Sequence, residues 1–307
     1  MNDLIRQAIA AEADERVDPR TVMADLHKAR KRKPLGMIIG VAALTVAAAA
    51  AAVIVPTTIK KTETAPVGAS LGQEAQNVLL VGLDDVNLGD ALVLARFQAD
   101  GTAALVSLPR DLLVDGVKIN TLFAQDPKKL TAAVEKLTGT KVDHYAAIQM
   151  RDVGRIAYLL NVEVCLRAAI TDPVSGVPFR AGKTTISGDY AVAFLRQRQG
   201  LPNGDLDRIK RHQVFLAGVA SQLTKERAVA LAHGAAGMIK IDQGWDVLAF
   251  AQRFTGPVKI SMSTLPVGTP VQNQNGFAYE ADPAKSKEFT DKALAGKAAD
   301  PGDLCVN

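Results

Sequence analysis

Cysteine, histidine and net charge are all scarce in this chain. Two cysteines among 307 residues, Cys165 and Cys305, exclude a Cys-built zinc ribbon and a disulfide-dense miniprotein. Four scattered histidines leave little material for a His-rich metal site. Lys+Arg 36 against Asp+Glu 32 leaves a net charge of +4. That is too little for a dedicated nucleic-acid binder, and no nucleic-acid partner is expected. The rest is ordinary globular usage, 48% hydrophobic and 22% charged. Wholesale disorder, collagen and a multi-span transporter are therefore excluded, and the length suits one or two domains.

One uncharged run dominates the organisation. Leu35 to Val55 reads LGMIIGVAALTVAAAAAAVIV. At about 1.5 Å per residue it spans roughly 30 Å, one bilayer core. Lys28-Ala-Arg-Lys-Arg-Lys33 precedes it, whereas the far flank has only Lys60 and Lys61, offset by Glu63. The positive-inside bias sets residues 1–34 in the cytoplasm and everything after residue 55 outside. A cleaved signal peptide is the alternative, since small residues near Ala47 to Ala52 suit cleavage. Residues 56–76 are polar and read as a linker to a domain at 77–307. The expected protein is thus a single-pass cell-membrane protein with its C-terminal domain extracytoplasmic.

From Asn77 the pattern alternates between short apolar runs and helical periodicity. Val78–Val81, Leu92–Phe97, Thr102–Leu108, Tyr145–Ile148, Val162–Leu166 and Val258–Leu265 read as strands. Asp100-Gly101 between the second and third marks a hairpin. Leu130, Val134 and Leu137 stand at i, i+4 and i+7, so Asp126–Leu137 reads as a helix with Asp126 as cap and Pro127 in the first turn. Asp152–Leu160, Ser187–Arg196, Asp205–Leu223 and Asp242–Phe254 carry similar signals. The expected fold is α/β (α+β), a mixed central sheet flanked by helices and preceded by one transmembrane helix.

Charge concentrates in three places. Asp84, Asp85 and Asp90 lie in a loop after a strand. Arg110 and Asp111 end a strand, with Lys118 close behind. Arg196 and Arg198 precede Asp205, Arg208, Arg211 and His212, the last three sharing one helix face. A charged helix face is often only solvated. Arginines at a helix end and again at the next helix start nevertheless match phosphate, and loop carboxylates hold Mg²⁺ beside phosphates. Two other motifs fail. Gly68-Ala-Ser-Leu-Gly72 matches a nucleophile elbow but sits in the linker, without the strand and helix that motif needs. Gly176 to Thr184 (GVPFRAGKT) spaces its glycines one residue too far apart for a P-loop.

Seven segments in order resemble the LytR-CpsA-Psr family: Asn77 to Gly82, Val106 to Asp111, Lys118 to Asn120, Val142 to Tyr145, Val162 to Leu166, Ala193 to Arg198 and Gly204 to Gln213. The resemblance covers roughly Asn77 to Leu223, more loosely to Phe289. It implies an enzyme that transfers a glycopolymer phosphate from a polyprenyl-pyrophosphate carrier to peptidoglycan. A hydrolase of the same lipids and a non-catalytic, membrane-tethered binder are the alternatives. It further implies Mg²⁺ at Asp84 and Asp90, and catalytic roles for Asp90 and Arg110. Pyrophosphate would be bound by Arg110, Arg196, Arg198 and Arg208, with Asp111 and Asp205 orienting them. Lys118, Arg211 and His212 complete the expected substrate contacts. Two positions depart from the pattern: Leu88 stands where the family has an arginine, and His212 where it has a glutamine.

The two cysteines admit two states. Cys165 is free and buried with Cys305 incidental, or the two pair and tie the C-terminal tail to the sheet. Within the chain each is the other's only partner, and an outer domain permits oxidation, so the pair is expected.

Overall fold

The computed structural model describes residues 74–273, 276–296 and 304–307. The expected cytoplasmic tail, the expected Leu35–Val55 span, the Gly68–Gly72 match and most of the expected linker lie outside the described residues. Among the described residues no helix is long and apolar enough to cross a membrane.

The centre is a six-stranded mixed sheet. Its strands are β1 (Gln76–Leu83), β2 (Gly89–Phe97), β3 (Thr102–Leu108), β6 (His144–Gln149), β11 (Ile239–Ile241) and β12 (Lys259–Thr264), in spatial order β11-β6-β1-β2-β3-β12. β1, β2 and β3 form an antiparallel meander, and the sheet is widened by parallel pairing of β6 on β1 and β12 on β3. The period of two sorts its side chains. Leu92, Leu94, Val106 and Leu108 enter one apolar cluster, and Val93, Ala95, Ala103 and Leu105 enter another on the opposite face. The first face is covered by α1 (Leu122–Gln125), α2 (Pro127–Thr138) and α8 (Pro283–Ala295). The second is covered by α5 (Asp205–Gln222), α6 (Lys225–Gly234) and α7 (Val247–Ala251).

A second lobe of the core is built from α3 (Val153–Leu160), α4 (Gly188–Arg196), α5 and a small sheet. That sheet holds β10 (Gly182–Thr185), β7 (Glu163–Leu166) and β15 (Cys305–Val306), in that order. Helices α3 and α4 meet backbone to backbone: a Cβ on Gly154 would lie 2.4 Å from the Gly188 carbonyl oxygen. β15 lies parallel to β7 with Cys305 opposite Cys165, and the two cysteines form the disulfide with Cα atoms 4.4 Å apart. Gly176 to Thr184 runs through the short strand β9 (Pro178–Phe179), which pairs with β8 (Ile170–Thr171), into β10 rather than through a strand, loop and helix, which removes the P-loop reading structurally as well.

Two last strands pairs complete the fold. β4 (Leu112–Val114) and β5 (Val117–Lys118) join β13 (Pro270–Asn273) and β14 (Gly276–Glu280) in a four-stranded sheet, order β13-β14-β4-β5. One expectation needs correcting. Asp242–Phe254 is not one amphipathic helix: only Val247–Ala251 is helical. Asp242 is instead an acceptor, taking the backbone amide of Tyr145 at 2.8 Å and His144 Nδ1 at 2.8 Å.

Candidate functional site

Strand ends and one helix start bring the charged residues together. Asp90 opens β2, Arg110 and Asp111 turn the chain after β3, Lys118 ends β5, and Asp205 and Arg208 form the first turn of α5. Arg110 Nη1 donates to Asp90 Oδ1. Arg208 Nη1 lies 3.6 Å from Asp90 Oδ2, and its Nη2 donates to the Asp90 carbonyl at 3.2 Å. Asp205 Oδ1 stands 2.8 Å from Arg208 Nη2 and 3.3 Å from Arg110 Nε. Asp111 is 3.8 Å from Arg110 Nε and accepts from Lys118 Nζ at 3.0 Å. Three cations therefore face three carboxylates. The carboxylates hold the guanidinium groups in place, and acidic side chains in the first turn of α5 suit its dipole.

The network is incomplete in one respect. Arg208 Nε is buried and has no hydrogen-bond acceptor, its side chain being only 4% exposed, and Arg110 Nε, 3.3 Å from Asp205 Oδ1, is not aligned to donate to it. Buried donors are ordinarily satisfied, so Arg208 Nε is left open to an oxygen from a ligand, whereas Arg110 Nε keeps an ion pair with Asp205. Burial works against both charges. At Arg110 the opposing pull of Asp205, Asp90 and Asp111 prevails and raises the pKa; at Arg208 burial, with repulsion from Arg110 and Arg198, lowers it. Arg196 and Arg198, at and just beyond the end of α4, are exposed and have no ion-pair partner among the described residues. They add two uncompensated positive charges to the region.

The structure does not bring Arg211 into this cluster. It is fully buried in the second lobe, its guanidinium over the Phe194 ring at 4.7 Å and the Phe179 ring at 5.4 Å. Its Nε donates to the Asn307 carbonyl at 2.9 Å. Burial lowers its pKa to about 10, against the pull of Asp172 and Asp207. His212 is buried too. Burial, then repulsion from Arg208, pushes its pKa down to about 3, so the ring is neutral and Nε2–H donates to the Leu195 carbonyl at 2.9 Å. It offers no charge to a substrate; it joins α5 to the end of α4.

The Asp84 loop is organised by its own side chain. Asp84 Oδ1 accepts from the amides of Val86 at 3.0 Å and Leu88 at 2.7 Å, leaving Oδ2 without a hydrogen bond among the described residues. Leu88 contributes only backbone here, its carbonyl accepting from Asp84 N. Among the described residues no group of three His, Cys, Asp or Glu side chains could hold a metal ion. Two hard carboxylates fit Mg²⁺ only with phosphate oxygens completing the shell, which is how that ion is commonly bound.

Beside the charged cluster lies an apolar cavity of about 310 Å³ between the sheet and α5–α7. Its wall includes Gly82 and Ala91, which flank the aspartate loop, and His212, one turn after Arg208. Gly82 keeps this end narrow but open: a Cβ there would sit 2.8 Å from Met150 Sδ and 3.1 Å from Ala91 Cβ. Trp245 and Phe250 line it farther along.

Sequence reasoning missed two supports of the site. Asn87, in a left-handed conformation with φ 64°, accepts from Gln149 Nε2 at 2.9 Å and Lys240 Nζ at 3.0 Å, pinning the aspartate loop to the sheet edge. An asparagine in a tight loop is a turn signal; its two partners, far along the chain, have none. β14 runs parallel to β4, and the Tyr279 amide donates to the Asp111 carbonyl at 2.9 Å, so this strand braces the Arg110–Asp111 turn.

Comparison with known proteins agrees with this architecture. The LytR_cpsA_psr family model matches residues 43–294. The cell wall biosynthesis protein LcpA of Corynebacterium glutamicum is 31% identical over 249 residues, covering 65% of this chain and 47% of that protein. The polyisoprenyl-teichoic acid–peptidoglycan teichoic acid transferase TagU of Enterococcus faecalis is 26% identical, covering 56% of this chain and 61% of that protein. The chain thus spans about half to three fifths of these two relatives. Among solved structures, a LytR-Csp2A-Psr enzyme from Actinomyces oris superposes with a TM-score of 0.59 at 21% identity, covering 72% of this chain and 90% of that one. TagT bound to LI-WTA gives 0.59 at 21% identity, covering 76% and 92%.

Proposed function

The chain belongs to the LytR-CpsA-Psr family, and on that premise we propose that it transfers a glycopolymer phosphate from a polyprenyl-pyrophosphate carrier to peptidoglycan. The observation that carries this reading is the Arg110–Arg208 cluster, with the buried donor Arg208 Nε left without an acceptor, beside an apolar cavity. A pyrophosphate supplies an oxygen to the open donor and charge to the cluster, and a prenyl chain is the apolar body that such a cavity takes. The names of LcpA and TagU point the same way.

Phosphoryl transfer asks the protein for position and charge rather than covalent work. Arg110 and Arg208, held by Asp90 and Asp205, clamp the bridging region of the pyrophosphate, and Arg196 and Arg198 draw the anion in. A peptidoglycan hydroxyl attacks the phosphorus that bears the glycan. The bond from that phosphorus to the bridging oxygen breaks, and polyprenyl phosphate leaves with the electron pair. Asp90, between both arginines, is our choice to take the hydroxyl proton. Lys118 reaches the substrate side through Asp111. Mg²⁺, held by Asp84 and Asp90 with substrate oxygens, would neutralise further charge. Stabilisation of developing charge by such fixed groups is the usual core of this chemistry.

The reaction belongs outside the cytoplasm, on a domain anchored by Leu35–Val55. The Cys165–Cys305 disulfide supports that side, because such bonds persist in oxidising compartments. The test is incubation with lipid-linked glycan, Mg²⁺ and peptidoglycan. Glycan attached to the wall is the expected product. Free phosphorylated glycan would make the protein a hydrolase, and neither product would make it a binder.

A further inference from the structure

Arg110 and Arg208 approach the site from the turn after β3 and from α5, and the aspartate loop brings no cation of its own. We propose that Lys240, on the edge strand β11, is a further substrate-binding residue whose ammonium holds the diphosphate of the lipid carrier from the side of that loop. The inference rests on the phosphotransfer reading above and adds to it a cation that lies outside every motif of the chain.

The loop from Asp84 to Asp90 reads DDVNLGD, three carboxylates without a lysine or arginine. Two basic side chains reach it from elsewhere. Arg151 Nη1 stands 3.4 Å from Asp85 Oδ1 with both side chains exposed, a surface pair of little energetic weight. Lys240 is placed differently. Its Nζ donates to the neutral side-chain oxygen of Asn87 at 3.0 Å, although the same loop holds carboxylates. Among the described residues it pairs with no carboxylate. An ammonium has three protons to donate, so those not spent on Asn87 are left over and the charge is uncompensated. Asn87 holds its oxygen in place: its φ is 64°, and Gln149 Nε2 donates to the same atom at 2.9 Å. A cation resting on a neutral amide is ready to pair with an anion that arrives.

The position identifies that anion. Ile239 pairs with Ile148, and Ile148 with Gly82. All three line the apolar cavity, at the end where Gly82 adjoins the aspartate loop. Ile241 lines it as well, so Lys240, between the two isoleucines, leaves β11 on the other face and reaches the loop. A carrier with its prenyl chain in the cavity emerges at the Gly82 end, where its diphosphate meets the Arg110–Arg208 cluster and passes the aspartate loop. Two phosphorus atoms offer more oxygens than two guanidinium groups consume. A compact ammonium on a flexible stem takes one of them without the fixed geometry that a guanidinium demands.

The experiment titrates the full-length chain with polyprenyl pyrophosphate and with inorganic pyrophosphate, Mg²⁺ being left out so that binding reports the chain's own cations. Lys240→Met should weaken both ligands by about tenfold, the loss of one charge-assisted hydrogen bond. Lys240 is exposed, so this variant keeps the fold. Lys240→Arg should restore most of the affinity. Asn87→Gly separates ligand binding from support of the loop, since glycine accepts the left-handed backbone but offers no side-chain oxygen. It leaves Lys240 free and should keep both affinities within about twofold of the wild type. Unchanged affinity in Lys240→Met, or an equal loss in Lys240→Met and Asn87→Gly, would overturn the proposal and reduce Lys240 to a support of the loop. Wild-type protein that binds neither ligand would instead defeat the diphosphate reading itself, and the proposal with it.

Discussion

At the scale of single residues, the arginines separate into two kinds that the sequence cannot tell apart. Arg198 is exposed and unpaired among the described residues, whereas Arg208 is buried against Asp90 and Asp205. Arg198→Ala should weaken binding of polyprenyl pyrophosphate by about 1.5–3 kcal/mol, one charge-assisted hydrogen bond, and leave the urea midpoint where it was. Arg208→Ala should lower both affinity and stability, the latter by about 3 kcal/mol at most, because it leaves the partly buried Asp90 and Asp205 with Arg110 alone as counterion. Equal urea midpoints for the two variants would contradict this division. Helical spacing set Arg208, Arg211 and His212 on one face, and that much is true of the helix. The helix, however, is buried on more than one side, against both the main sheet and the second lobe. Arg211 and His212, about 100° apart around the axis, therefore meet different neighbours. His212 also gives a pH signature. Its pKa falls from 6.5 in the unfolded chain to about 3 in the fold. Between those values the unfolded state binds the extra proton, so this residue's contribution is complete above 6.5 and is lost as pH falls towards 3, at about 1.4 kcal/mol per pH unit. His212→Gln should flatten that limb of the stability curve while leaving the other acid-sensitive groups in place. Identical slopes in the variant and the wild type between pH 6 and 4 would show that the imidazole is not buried neutral.

Elements were legible where their ends carried chemistry. α2 follows the reading almost residue for residue because Asp126 caps it, accepting from the Lys128 amide, Pro127 opens it and Gly139 closes it at φ 65°. The β2–β3 hairpin follows from Gly101 at φ 81°. Asp242–Phe254 misled because Asp242, a good helix cap by type, spends its carboxylate on β6. The strands β4, β5, β8 and β9 are two or three residues long, too short for any period to register. β15 was visible only through its cysteine. That strand is the least self-sufficient element, two residues held by ladder bonds to β7, the disulfide, and the bond from Arg211 to Asn307. The bridge joins positions 140 apart, for which chain entropy gives about 5 kcal/mol as an upper figure. Cys165→Ala/Cys305→Ala should cost about 2–4 kcal/mol in global unfolding, and amide exchange should quicken first in β7 and around Arg211. Wild-type protein that unfolds at the same denaturant concentration with and without reductant would remove the structural role.

On the scale of the whole molecule, the fold joins two environments of opposite kind. The strand ends and the start of α5 gather charge, and the sheet face beneath them encloses an apolar cavity of about 310 Å³. The charged half was readable, since arginines and aspartates clustered in order along the chain. The cavity was not. Leu80 and Val93 line it, yet in sequence they are strand positions like those that fill the core. Missing volume is a property of packing among distant segments, and no local pattern records it. The two halves make separable contributions to one ligand. Inorganic pyrophosphate should bind weakly and lose affinity steeply with salt, because exposed arginines are screened. Adding prenyl units should strengthen binding at a rate set by apolar burial, about 0.8 kcal/mol per buried CH₂ at most. The gain should then level off, because a cavity of this size is at the lower end of ordinary ligand pockets and holds only part of a long chain. Titration with pyrophosphates of increasing prenyl length, at low and high salt, measures both contributions. A steep rise followed by a plateau, with the salt effect equal at every length, is the outcome the structure requires. Affinity independent of chain length would mean that the tail never enters the cavity and that only the charged half recognises the carrier.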